Sequence, residues 1–328
     1  MSDGRAGIES QALGLAEAVA RLAFVRIINK RIEVKQPWRM LPRALWADPF
    51  AHLSTGGALL RPPYPDLWIG CGRLCVPYTM AVKQRDSHTL TVQIQNPRAP
   101  LSRFDLVVPP AHDGLSGDNV FPIIGSPNRV TADLIRQDAE TLQPALAHLP
   151  RPLAALLTGG PNSAFAMSRK SLMRIARAAR KVARAGGGVM VTASRRTPRE
   201  TIAMIEKALA GYPHFIWDGS PVNGLANPYF GMLGLADLIL VTEDSVNMAT
   251  EAAMTGTPVH IIPLARRPFG SVAKFDRFHA ALANKGASRL FTGRLDDWVY
   301  DPLDETARAA SEIVRRLEQR SRARVSTG

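Results

Sequence analysis

Three stretches of the chain set small or glycine residues just ahead of a helical pattern, and each suits the binding of an anion. In SDGRAGIESQALGLAEAV, Gly4 and Gly7 precede Ala12, Leu15, Ala16 and Val19 at helical spacing. In LLTGGPNS, Gly159 and Gly160 directly follow an apolar run. In VTEDSVNMATEAAMTGTP, Asp244 and Ser245 are N-cap candidates, and Ala249, Ala252 and Ala253 let a helix lie close to a backbone. The free N–H groups and positive dipole end of a helix start favour phosphate. A turn or a cap explains each stretch taken singly. Their repetition after apolar runs favours a ligand, because open α/β sheets bind ligands at the carboxyl ends of their strands. The dinucleotide fingerprint GxGxxG and the P-loop GxxxxGK[ST] are absent, which argues against a standard NAD-binding half and a phosphate-cleaving P-loop.

Further polar residues end other apolar runs. Arg195 and Arg196 in TASRRTP suit bidentate phosphate contact, with a solvated loop as the alternative. Lys274 and Arg277 in KFDRF suit phosphate or sugar on the same terms, and Gln95, Asn96 and Arg98 could meet an acceptor. Trp217 and Asp218 could flank a base, although a packed Trp explains them as well. Glu251 stands among alanines where no carboxylate is needed to cover a core; a salt bridge to a neighbouring cation is its alternative. His112 and Asp113 have no further ligands at zinc spacing and read as turn chemistry, so no metal is expected. Cys71 and Cys75, spaced CxxxC, read as core residues with reduced thiols.

These residues must be held by elements, and the elements are legible. Runs rich in Val, Ile and Leu alternate with helical stretches, the signature of parallel α/β units. They include LAFVRIINKRIEV, DLWIGCG, TLTVQIQNP and FDLVVPP in the first half, and LAALLTGG, GVMVTAS, HFIWDG, LILVTED and PVHIIPL in the second. At 328 residues the chain exceeds one ordinary core. Two domains are expected, 1–135 and 136–328, with a final helix and a frayed basic tail in the second. No apolar run is long enough to span a bilayer, and the polar, acidic start argues against a signal peptide, so a cytoplasmic protein is expected. The formal net charge of +13 admits nucleic acid, an anionic membrane surface or phosphorylated substrates. Much of the excess lies in helical stretches such as SRKSLMRIARAARKVARAG, where a solvated face suffices. No nucleic-acid reading motif accompanies it. A weak, peripheral contact with anionic lipid suits it better, at roughly 1 kcal/mol per basic residue near the surface.

The opening stretch, PDLWIGCGR, QIQNPRAPLSRFDLVVPPAHDGL, VTASRRTP, NPYFGMLGLADLILVTEDSVNMATEAAMTGTPVH and KFDRFHAAL together resemble the mitochondrial fission ELM family over nearly the whole chain. The layout also resembles GT-B glycosyltransferases such as the UDP-N-acetylglucosamine transferase of peptidoglycan synthesis. The matching elements, in order, are Gly4–Gly7, Pro65–Gly72, Gln95–Asn96, Gly159–Gly160 and Ser245–Pro258. This resemblance implies two Rossmann-like domains facing a cleft. It places Ser245, Val246 and Asn247 at a donor diphosphate, Glu251 at the ribose hydroxyls, and Gly4, Gly7, Gln95, Asn96 and Arg98 on the acceptor side. The implied reaction is metal-independent transfer from a nucleotide-diphosphate sugar, a substrate rather than a cofactor, to an acceptor at the cytoplasmic membrane face. One departure matters: where the resembling transferase has a histidine after its first glycine turn, this chain has Ile8, then Glu9. Glu9 and Asp3 remain as candidate bases, neither tied to an obvious ion pair, or else as carboxylates serving a helix dipole. A nucleotide-sugar epimerase and a non-catalytic membrane-associated adaptor are the rival readings.

Overall fold

The computed structural model describes residues 1–42, 46, 48–56 and 58–325. In chain order the helices are α1 (Ala6–Leu22), α2 (Val76–Arg85), α3 (Ala132–Leu142), α4 (Arg169–Arg184), α5 (Arg199–Leu209), α6 (Tyr229–Leu235), α7 (Val246–Ala253), α8 (Ala273–Asn284) and α9 (Glu305–Val325). The strands are β1 (Leu67–Cys71), β2 (Leu90–Ile94), β3 (Leu106–Val108), β4 (Leu153–Thr158), β5 (Phe165–Ala166), β6 (Gly188–Ala193), β7 (His214–Ile216), β8 (Leu238–Thr242), β9 (Val259–Ile262), β10 (Ala265–Arg266) and β11 (Ser288–Leu290). The chain forms two compact α/β units with parallel sheets, Met1–Arg129 with Asp304–Gly328, and Val130–Leu303.

In the Val130–Leu303 unit six parallel strands lie in the order β11-β9-β8-β4-β6-β7. Numbered within this sheet, that is the doubly wound order 6-5-4-1-2-3, whose switch point falls between β4 and β8. β4 and β8 are buried along their whole length, as strands covered on both faces must be, and their sequences are accordingly continuous apolar runs. The core joins them to the apolar faces of α4 and α5, with Ile175, Ala179, Val182, Ile205 and Leu209 buried. The register Leu157↔Val241 brings the ends of β4 and β8 side by side.

The first unit carries a three-stranded parallel sheet, β1-β2-β3. Leu15, Val19, Val92 and Leu106 share its core with Ala309, Ala310 and Ile313 of α9. This corrects the expected division. The boundary falls at Arg129/Val130 rather than 135/136, and α9 belongs with the first unit. Helical periodicity shows that α9 has an apolar stripe, but the stripe does not name the core it joins. Close packing of its alanines on α1 and a bond from the Asn128 N–H to Thr306 Oγ1 (3.1 Å) decide that. The expected frayed tail falls partly on 326–328, outside the described residues; the helix itself continues to Val325.

Candidate functional site

The switch point of the second unit is closed by side chains rather than left to glycine amides. The Gly159 N–H donates to Thr242 Oγ1 at 2.7 Å and the Gly160 N–H to Asp244 Oδ2 at 2.9 Å. Thr242 Oγ1 donates in turn to Asp244 Oδ1 (2.8 Å), and Arg196 reaches Asp244 Oδ2 at 3.4 Å. Thr197 Oγ1 lies 2.6 Å from the Gly159 carbonyl. The loops after β4, β6 and β8 are thus tied through one carboxylate. The pair of glycines is required by this closeness: a Cβ on Gly159 would stand 2.3 Å from the Asp244 oxygens, and one on Gly160 2.2 Å from the Arg196 carbonyl oxygen. Both amides are therefore committed inside the protein, a correction to the expectation that they hold phosphate. The Asp244 side chain is wholly buried, and burial pushes its carboxyl above the usual range against the opposing pull of Thr242, Gly160 and Arg196.

Ser245 precedes α7, yet its side chain makes no capping bond. Val246 is half-buried against the core and Asn247 is exposed on the first turn. Arg195 is exposed and forms no ion pair or hydrogen bond among the described residues, whereas Arg196 leans on Asp244 and the Pro161 carbonyl. On α8, Lys274 is exposed against the Phe275 ring and Arg277 is exposed one turn on. Trp217 Nε1 donates to the Ser220 carbonyl (2.7 Å), which ties that strand end to its own turn.

Glu251 is half-buried on the second turn of α7, forms no ion pair among the described residues, and accepts a bond from the Tyr229 hydroxyl to Oε2 at 2.7 Å. Burial pushes its carboxyl up to about 7, against the lowering effect of that hydroxyl. Its Oε1 forms no hydrogen bond among the described residues. Tyr229 was not singled out from the sequence. It opens α6, which docks on α3 where Gly231 and Gly234 would meet Asp138 and Ile135 if they carried a Cβ. Only that helix contact brings Tyr229 to Glu251, and no local pattern signals it. Glu243 and His279 were missed likewise: the Leu264 N–H donates to Glu243 Oε2 (2.9 Å), and His279 Nε2 lies 2.8 Å from the Glu243 carbonyl oxygen.

In the first unit the candidate bases are paired. Glu9 Oε1 accepts from Arg31 (2.7 Å) and Asn29 (2.6 Å), which hold its carboxyl below the usual range. Asp3 pairs with Arg5 at 2.7 Å. Both partners were hidden from the sequence reading, Arg31 by a separation of 22 residues and Arg5 by the turn at Gly4, which has φ +75°. A carboxylate held by guanidinium is a poor proton acceptor, and that argues against Glu9 as the base. Gly7 lies within α1 with nothing near its Cβ position. Gln95 donates to Gln11 Oε1 (2.9 Å), Asn96 Oδ1 accepts from the Arg98 N–H (2.9 Å), and Arg98 is exposed. Gln95 and Arg98 have φ of +72° and +49°, backbone conformations that non-glycine residues seldom adopt. Cys71 and Cys75 are buried free thiols.

The family profile described as Mitochondrial fission ELM1 matches residues 6–317. The Mitochondrial fission protein ELM1 of Arabidopsis thaliana is 30% identical over 284 residues, which cover 78% of this chain and 65% of the plant protein. The chain thus spans slightly less than two thirds of that relative. A Rickettsia prowazekii (strain Madrid E) protein, Uncharacterized protein RP120, is 26% identical over 76% of this chain and 79% of its own length. Among solved structures, the UDP-GlcNAc 2-epimerase of Neisseria meningitidis bound to UDP-GlcNAc superposes with a TM-score of 0.47 at 12% identity, over 97% of this chain and 91% of that one.

Proposed function

The chain belongs to the mitochondrial fission ELM1 family, and from that premise we propose that its Val130–Leu303 unit binds a nucleotide-diphosphate sugar beside α7 and gives up the glycosyl group to an acceptor at an anionic membrane face. Glu251 carries the reading. A half-buried carboxylate with no cation among the described residues, held by one tyrosine hydroxyl, is costly to the fold and suited to accepting hydroxyl groups. The vicinal hydroxyls of a ribose fit that oxygen. The first turn of α7 offers backbone N–H groups and its dipole to the diphosphate, and Arg195 supplies an exposed cation. The same groups would stabilise the diphosphate as it leaves. Asp244 acts through Thr242, Gly160 and Arg196 to fix the loops around the ligand.

The membrane side of the proposal rests on α4. Arg169, Lys170, Arg177, Arg180, Lys181 and Arg184 are exposed and form no ion pair among the described residues. At ~100° per residue they fall within about 120° of arc. No acidic residue interrupts them. Such a stripe suits anionic headgroups. No helix among the described residues is long and apolar enough to cross a membrane.

Calorimetric titration of the purified chain with UDP- and GDP-sugars tests the proposal. Binding at micromolar to millimolar concentration is expected, weakened about tenfold or more by Glu251→Gln and by Arg195→Ala. A wild type that binds neither class at millimolar concentration refutes it and leaves the adaptor reading.

A further inference from the structure

The apolar run at residues 22–34, expected as a strand, joins no sheet among the described residues; it makes isolated bridges from Arg31 to Ser2 and from Val34 to Leu53. Its first part stays at the surface of the first unit. Phe24 is 109% and Ile28 56% exposed, and Leu22, Val25 and Ile27 are exposed beside them in the chain. Large apolar side chains gathered in the open mark a binding surface.

Residues 24–30 border a groove of about 610 Å³, within the ~300–1,000 Å³ range of small-molecule sites. Residues 65–69 line it as well, with Ala12, Ala16 and Val19 of α1 and Leu317 of α9. Its neutral polar side chains are spent elsewhere. Asn29 donates to Glu9 Oε1 (2.6 Å), Trp68 Nε1 donates to Thr79 Oγ1 (3.2 Å), and Tyr64 meets Arg85. A sugar or a base would find few hydrogen-bond partners there, whereas a hydrocarbon chain needs none. The charge of the lining is one-sided: Arg26, Lys30 and Arg61 stand against the one carboxylate of Asp66. None of the three cations forms an ion pair or side-chain hydrogen bond among the described residues, and Arg26 and Arg61 are exposed. The length is informative too. Residues 65–69 span ~17 Å at about 3.3 Å per residue. That is about half of the ~30 Å hydrocarbon core of a bilayer, the depth that one acyl chain fills in one leaflet.

We infer that this groove receives one acyl chain of an anionic phospholipid drawn from a bilayer, with the lipid phosphate met by Arg26, Lys30 and Arg61. The chain lies along residues 65–69 and covers the small side chains of Ala12 and Ala16. Phe24 and Ile28, exposed at the border, meet the neighbouring lipid chains. The cations add charge-assisted bonds to the phosphate oxygens and attraction to the anionic surface around it. The basic stripe of α4 offers charge alone, whereas the groove asks for a chain and a charge together. All the lining belongs to the first unit, so sugar binding by the second unit is not needed for it.

The test uses the full chain with phosphatidylcholine vesicles that carry a photoreactive acyl chain on either phosphatidylglycerol or phosphatidylcholine. After irradiation the labelled peptides are mapped by mass spectrometry. Label from phosphatidylglycerol should concentrate on residues 24–30 and 59–69 and exceed that from phosphatidylcholine about tenfold or more. Ala16→Phe fills the groove and should cut this label about tenfold, while salt-sensitive co-sedimentation with the vesicles remains. Where that variant lowers the melting temperature, Phe24→Ser with Ile28→Ser, both at exposed positions, should show a loss of label in a stable protein. Arg26→Glu with Arg61→Glu should bring the phosphatidylglycerol label down to the phosphatidylcholine level. Label spread evenly over the chain, label unchanged in all these variants, or equal label from both lipids overturns the inference. So does full displacement by glycerol phosphate, which would make the groove an anion site. An apolar pentapeptide that slows amide exchange at Leu67 and Ile28 where the vesicles do not would make it a strand-binding site and overturns it too.

Discussion

Replacing Glu251 by Gln should stabilise the protein at alkaline pH while weakening its ligand. The folded state holds the Glu251 carboxyl at about 7, against a usual value of 4.5. Between those values the folded chain keeps a proton that the unfolded chain has lost, so wild-type stability falls as pH rises from 4.5 to about 7 and is level above. A difference of about 2.5 pKa units corresponds to roughly 3 kcal/mol. That is an upper figure, since the residue is only half-buried. Glutamine keeps an oxygen for the Tyr229 hydroxyl and carries no charge. At pH 8 the variant should therefore exceed wild type by up to about 3 kcal/mol, with no gain at pH 4. Urea midpoints for both proteins from pH 4 to pH 8.5, at constant ionic strength, read this directly. Nucleotide-sugar affinity should rise through pH 7 in wild type and stay level and at least about tenfold weaker in the variant, because only the ionised carboxylate accepts two hydroxyl bonds without donating. A stability difference that ignores pH, or a variant less stable than wild type at pH 8, would refute the assignment of an uncompensated buried carboxyl.

Gly160→Ala drives a methyl group to 2.2 Å from the Arg196 carbonyl oxygen and should cost about 1–3 kcal/mol or more, read as a lowered melting temperature. Arg195→Ala removes a cation with no partner among the described residues; the melting temperature should hold, while titration shows nucleotide affinity falling about tenfold. Glu9→Gln breaks a pair with a largely exposed Arg31, so a urea melt should shift little, and any sugar transfer should survive if the pairing rules Glu9 out as the base. Reversing charge at Arg177, Arg180 and Arg184 together should abolish salt-sensitive co-sedimentation with anionic vesicles without lowering the melting temperature, since all three side chains are exposed.

The sequence by itself determined the α/β class and the family. Continuous apolar runs such as LAALLT and LILVT can be buried on both faces only in a parallel sheet, and the intervening helical periods supply the cover. It also marked Glu251, because a carboxylate among alanines has no packing role to explain it. Tertiary structure decided the rest, for a common reason: partners far apart in the chain leave no trace in local spacing. Gly159 and Gly160 read as phosphate-binding amides until Thr242 and Asp244, over 80 residues away, took both N–H groups. Glu9 read as a free base until Arg31 folded back on it, and Glu251 read as a possible salt bridge until α6 brought Tyr229 to it instead. The final helix followed the core that its alanines fit rather than its neighbours in sequence. Periodicity reports which face of an element is apolar; only close packing selects the surface that covers it, and with it the charge and hydrogen-bond partners that set each side chain's chemistry.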